Sequence, residues 1–212
     1  PPADEGRPAP SRRGPRWLVP LAALLVVTPL LVVLVTLRSP RWVPVLDLAQ
    51  TELRVRDVGT QHTPLVGLAG RIGSTDQQGS HPGPASFYAL APTYRVMGSS
   101  AWALQVATVV VHLAAVGAAL WIARRRGGAP LVAGVGLALA LLVVGYGVGP
   151  LSEPWNPYLP LLWWVVAMLG TWSALCRDHR VLPLTVVAAS FCAQTHIPYL
   201  GLCLGMGALA TP

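Results

Sequence analysis

Residues 17–37 read WLVPLAALLVVTPLLVVLVTL and residues 100–123 read SAWALQVATVVVHLAAVGAALWIA, two apolar blocks each long enough to cross a bilayer as a helix. Further blocks lie at about 130–149, 158–175 and 181–197, with the possible start of another at 198–212. The pattern predicts an all-α fold: a polytopic membrane helical bundle with a large first extracytoplasmic loop, residues 38–99, carrying short juxtamembrane helices. The first block is too long for the apolar region of a signal peptide, and no small-residue cleavage pattern follows it, so it reads as a signal anchor.

Charge fixes the expected orientation. Charged residues make up only 11% of the chain, against about 25% in soluble domains. All fifteen basic residues are arginine, and apart from the chain ends and the 38–99 loop they sit at the margins of the apolar blocks. The net charge of +7 is therefore a topology signal, with the lipid bilayer as partner and no nucleic acid. Arg12, Arg13 and Arg16, then Arg124–Arg126, then Arg177 and Arg180 fall on alternate loops. The positive-inside rule makes that face cytoplasmic and predicts a multi-pass protein of the cell membrane with a cytoplasmic N-terminus.

Residues 1–16, rich in Pro and Arg, are expected to be a disordered cytoplasmic tail. The chain begins without Met and stops inside an apolar run, so residues 17–212 read as the N-terminal part of a longer transmembrane domain. Cys176, Cys192 and Cys203 show neither metal-ligand spacing nor a disulfide framework and read as packing residues. His112, in the middle of a span, is expected to be hydrogen-bonded between helices.

The polar loop concentrates charge in residues 47–58, DLAQTELRVRDV. On a helix Asp47, Gln50, Thr51, Arg54, Asp57 and Val58 share one face, Glu52 and Arg56 form an i, i+4 pair, and Leu46, Ala49 and Leu53, with Leu48 and Val55, supply an apolar strip. A short helix lying on the membrane surface, apolar side down, satisfies this spacing. So does a helix that aims a carboxylate into a cavity at the membrane boundary, and spacing alone does not separate the two. Other polar groups fall on the same expected face: Glu153 and Asn156 in SEPWNPY, and Gln194 and His196 in FCAQTHIPYLG. Polar groups near a span end are costly in lipid and usually face a cavity. His62, His81 and His196 have no local ligand spacing; the loop carboxylates leave a divalent metal possible without demanding one.

The order of these features resembles a known family. DLAQTELRVRDV after the first span is followed by GSHPGPASFYALAPTYRVMG and a second span ending in ARRR. This is similar to the polyprenyl-phosphate-sugar-dependent glycosyltransferases of the GT-C superfamily, which include the protein O-mannosyltransferases and the aminoarabinose transferases of lipid A. Their pattern is a loop acid, a juxtamembrane helix, a Lys-Pro-Pro-Leu-x-Tyr-Trp type element and a second span ending in Ala-Arg-Arg. Asp47 matches the loop acid, Glu52 and Arg56 match the following helix, His81–Pro84 stand at the Lys-Pro-Pro element, and Phe87 with Tyr88 replace Tyr-Trp. The chain departs from the pattern where Leu48 replaces a second acid and His81 replaces Lys.

The resemblance implies an inverting transferase that moves a sugar from a polyprenyl-phosphate donor to a cell-envelope glycan, lipid or protein acceptor. Asp47, with Glu52 or Asp57, would then take the acceptor proton. Arg54, Arg56, Arg71 or Arg95 would hold the donor phosphate, and His81, Tyr88, Glu153, Asn156, Gln194 and His196 would contact substrate. The competing expectation is a non-enzymatic membrane protein, either a transporter or an envelope-assembly subunit.

Overall fold

The computed structural model describes residues 15–36, 38, 42–70 and 78–210. The tail up to residue 14 and Arg71 lie outside the described residues. The fold is all-helical, and the only β pairing among the described residues is an isolated antiparallel bridge between Ala69 and Ser80.

Helix α1, Leu18–Thr36, buries Ala23, Val26, Val27, Leu30 and Leu34, a stripe at helical spacing that packs along α4, Ala101–Tyr146. The Ser100 side chain caps α4 by accepting from the Ala103 N–H at 3.1 Å. Among the described residues, α1 and α4 are the two helices long and apolar enough to cross a membrane. The second arm of α4 is set off by a break at Gly128 (φ 66°, ψ −150°), a conformation open to glycine, two residues before Pro130. The expected second and third spans are thus the two arms of one kinked element.

After Tyr146, Gly147 (φ 92°) turns the chain into the short α5, Val148–Ser152. Helix α6, Leu161–Leu175, begins after Pro160 rather than at 158; α7 is Leu182–Thr195 and α8 is Ile197–Ala210. At 1.5 Å per residue α6 and α7 span only about 21–23 Å, short of the ~30 Å hydrocarbon core. Pro198 in the first turn of α8 coincides with the break at His196, so the fifth apolar segment stops there.

Side-chain contacts define the two ends of the bundle. At one end the Trp102 indole donates to the Leu34 carbonyl at 2.9 Å, and Arg38 stacks over the same ring. At the other end Arg125 grips Asp178 with both Nε and Nη2, the latter at 2.9 Å, and holds that carboxyl below its usual range. Arg126 stacks over Trp172 there. The arginine-rich turns thus share one end, and the polar loop occupies the other.

Two loop helices cover that second end: α2, Asp47–Asp57, and α3, Ala85–Val96. Helix α3 buries Phe87, Leu90 and Tyr94 against α4 and α2, each contributing about 1.5–3 kcal/mol of apolar burial. Helix α2 faces it with Thr51, Glu52 and Val55, while Leu46 and Leu53 stay exposed. Of the expected apolar strip, Val55 is thus the packed member, and Leu46 and Leu53 are not packed.

Gln105 and His112 are fully buried on α4, and among the described residues the Gln105 side chain has no hydrogen-bond partner. The Leu151 backbone, in α5, lies beside His112.

Candidate functional site

A cavity of about 440 Å³ opens at the loop end of the bundle. Five segments of the chain build it, one of them the wall of Leu68, Ala69 and Gly70. Asp47 comes from the first turn of α2, His81 from the approach to α3, Trp155 and Asn156 from the turn before α6, and His196 from the break between α7 and α8.

Each segment has a local reason for its place. Leu46, just before α2, adopts φ 50° and ψ −122°, a strained backbone for a leucine, and this turn sets the position of Asp47. A carboxylate in a helix's first turn is favoured by the unsatisfied N–H groups there. Residues 67–70 and 79–81 form a two-stranded stub: the Gly67 N–H donates to the His81 carbonyl at 3.0 Å and the His81 N–H to the Leu68 carbonyl at 2.9 Å. Gly67 is required, because a Cβ there would lie 2.7 Å from His81 Cβ and 3.0 Å from the Gly83 carbonyl oxygen.

The cavity's polar wall is a cluster of neutral groups. The Asn156 side-chain amide meets His81 Nε2 at 2.7 Å and lies 3.5 Å from His196 Nδ1. The Ile197 N–H, in the first turn of α8, points at His81 Nδ1 across 3.3 Å. The two imidazole rings lie 5.2 Å apart between centroids. Burial lowers the His81 pKa from 6.5, with the Asp47 charge pulling the other way; burial and then His81 lower that of His196. The fold therefore favours uncharged imidazoles. Their contribution to stability is present above about pH 6.5 and is lost as pH falls through the lowered folded values.

The other expected site residues sit elsewhere. Arg54 and Asp57 line a second pocket of about 450 Å³ with Gln50 and Leu53, separated from the first by the shared wall of Leu68 and Ala69. Glu52 and Arg56 line neither pocket. Arg56 donates to Glu52 Oε1 at 2.7 Å and to the Tyr94 hydroxyl at 2.8 Å. That hydroxyl is 2.7 Å from Glu52 Oε1, with the Ser99 carbonyl a second acceptor at 3.0 Å. Burial first, and Glu52 second, push the Tyr94 pKa up. This triad fastens α2 to α3.

Arg95 donates to the Val58 carbonyl beyond the end of α2, a cap rather than a cavity group. Tyr88 donates to the Pro64 carbonyl at 2.7 Å and pins the loop after α2. The Gln194 side-chain amide donates to the Ser190 hydroxyl at 2.8 Å, and the Gln194 backbone carbonyl accepts from the Gly83 N–H at 3.3 Å. Glu153 is half-buried beyond the cavity lining.

Sequence reasoning missed Trp155 and the Leu68–Gly70 wall. A tryptophan beside Asn156 in a proline-bounded turn was the available signal for the first. The second depends on pairing between residues 67–70 and 79–81, which no local pattern announces. Among the described residues no group of three or more His, Cys, Asp or Glu gathers to hold a metal ion.

Comparison with protein-family models, with curated proteins and with solved structures finds no match to this chain.

Proposed function

We propose that the chain carries the site of a polytopic membrane glycosyltransferase of the GT-C type. It moves a sugar from a polyprenyl-phosphate donor to a cell-envelope acceptor at the extracytoplasmic face. The observation that carries this reading is the meeting of Asp47, His81, Asn156 and His196 in one cavity at the end of the bundle opposite the arginine turns. That is where the head of a membrane-anchored amphiphile would present itself. On this reading both arms of α4, and the shorter α6 and α7, cross the membrane with the N-terminus in the cytoplasm.

The residues divide the work by chemistry. Asp47 takes the proton of the acceptor hydroxyl as the new glycosidic bond forms. The bond from the anomeric carbon to the donor phosphate breaks, and the phosphate leaves with the electron pair, inverting the anomeric centre. Arg54, in the adjoining pocket, is placed to meet the growing negative charge. Asn156, with the exposed edge of Trp155, receives the uncharged sugar.

The test is transfer from lipid-linked sugar in membranes containing the protein. Asp47→Asn should lower turnover by about 10²–10⁴-fold, the usual contribution of a positioned base. Turnover equal to wild type would remove Asp47 from the mechanism, and absence of transfer by the wild type itself would favour a non-enzymatic membrane protein.

A further inference from the structure

His81 is placed so that both of its ring nitrogens face hydrogen-bonding groups. Nδ1 is 3.3 Å from the backbone N–H of Ile197, and Nε2 is 2.7 Å from the side-chain amide of Asn156. If the amide presented its nitrogen to the ring, both ring nitrogens would have to accept. A neutral imidazole carries one N–H and has one acceptor, so that arrangement leaves one contact unmade. The backbone partner cannot change roles: Ile197 N–H is a donor only, and as a first-turn group of α8 it has no acceptor within its own helix. Nδ1 is then the acceptor, and the ring proton sits on Nε2.

The consequence passes to Asn156. A proton on His81 Nε2 needs an acceptor at 2.7 Å, so the amide presents Oδ1 to the ring; oxygen and nitrogen of a side-chain amide are assigned from such networks. The NH2 group then occupies the other side of the amide, where Asn156 makes no protein hydrogen bond among the described residues. Asn156 lines the cavity together with Asp47.

We propose that His81 is a positioning residue that turns the Asn156 amide so that its NH2 group is presented to the cavity. The cavity thereby offers a neutral donor from Asn156, and the matching ligand group is a hydrogen-bond acceptor, as a hydroxyl oxygen is. Only the naming of a sugar hydroxyl as that group rests on the proposed transfer reaction.

The experiment is long-range ¹H–¹⁵N correlation on the ¹⁵N-labelled full chain in lipid nanodiscs at pH 7.5, with the His81 signals identified by their loss in His81→Gln. The expected result is a neutral ring with the proton on Nε2 and an unprotonated Nδ1. A proton on Nδ1, or a doubly protonated ring, overturns the proposal. Two variants then read the Asn156 amide. His81→Gln keeps a side-chain N–H donor near the former Nε2, so the Asn156 NH2 shifts should stay close to wild type. His81→Phe removes the donor, and those shifts should move; unchanged shifts in the Phe variant overturn the positioning role. None of these signals depends on turnover, so an inactive protein with the Nε2–H ring sinks the transfer reaction and leaves the placement of the amide standing.

Discussion

Replacing Glu52 with alanine removes the carboxylate that joins Arg56 and Tyr94, and nothing else in the α2–α3 contact can substitute for it. The Tyr94 ring is only 1% exposed, and its hydroxyl would keep the Ser99 carbonyl alone as acceptor. Losing one partner of a largely buried hydrogen-bonded group costs about 1–3 kcal/mol. Glu52→Ala and Tyr94→Phe should each lower the unfolding midpoint. The double variant should lose less than the sum, because both remove the same contact. On the proposed reaction, Asp47→Asn should lower turnover by about 10²–10⁴-fold without unfolding the protein. If Glu52→Ala unfolds like wild type but no longer transfers sugar, Glu52 rather than Asp47 holds the chemical role.

At the scale of elements, the stub of 67–70 against 79–81 decides whether the cavity exists. Gly67→Ala would drive a Cβ into His81 Cβ at 2.7 Å and against two backbone oxygens at 3.0 and 3.1 Å, none of which can swing away. Overpacking of this kind costs about 1–3 kcal/mol, and the strain falls on the segment that holds His81. Gly117→Ala, with no atom within 4 Å of the added Cβ, is the matched contrast. It should be neutral or stabilising by up to about 1 kcal/mol through helix propensity. Unfolding midpoints and the His81 ring signals would show the difference, and equal behaviour of the two variants would remove the stub from its role.

The same elements show what the sequence made legible. Helix α2 was readable because its spacing is local and its acid stands in the first turn; α3 was readable from the aromatic run opening after Pro84. The packed face of α2 was not readable. Glu52 is buried and Leu53 exposed because a tyrosine from another helix supplies the partner that makes a buried carboxylate tolerable. The grouping of His81, Asn156 and His196 was legible only through the expected alternation of loops, which placed three separate polar segments at one end. Nothing local revealed that Arg95 would be spent on capping α2, since an exposed arginine and a capping one have the same sequence signature.

For the whole molecule the open quantity is which end of the bundle faces which compartment, and the chain carries its own reporter. Cys176 is an exposed thiol beside Arg177 and Asp178, at the arginine end, while Cys192 is buried. Gln61 is exposed just beyond α2, at the cavity end. In a Cys203→Ala background, a membrane-impermeant maleimide applied to intact cells should leave Cys176 unlabelled until the membrane is permeabilised. With Cys176 also replaced by Ala, Gln61→Cys should label in intact cells without permeabilisation. That outcome follows from gathering Arg124–Arg126, Arg177 and Arg180 on the retained side, where the cost of moving cationic loops across the bilayer is avoided. The reverse pattern would place the cavity in the cytoplasm, and an acceptor in the cell envelope could then not reach Asp47. Labelling of both thiols in intact cells would mean that the two ends are not on opposite sides of a membrane, and the polytopic reading would fall with it.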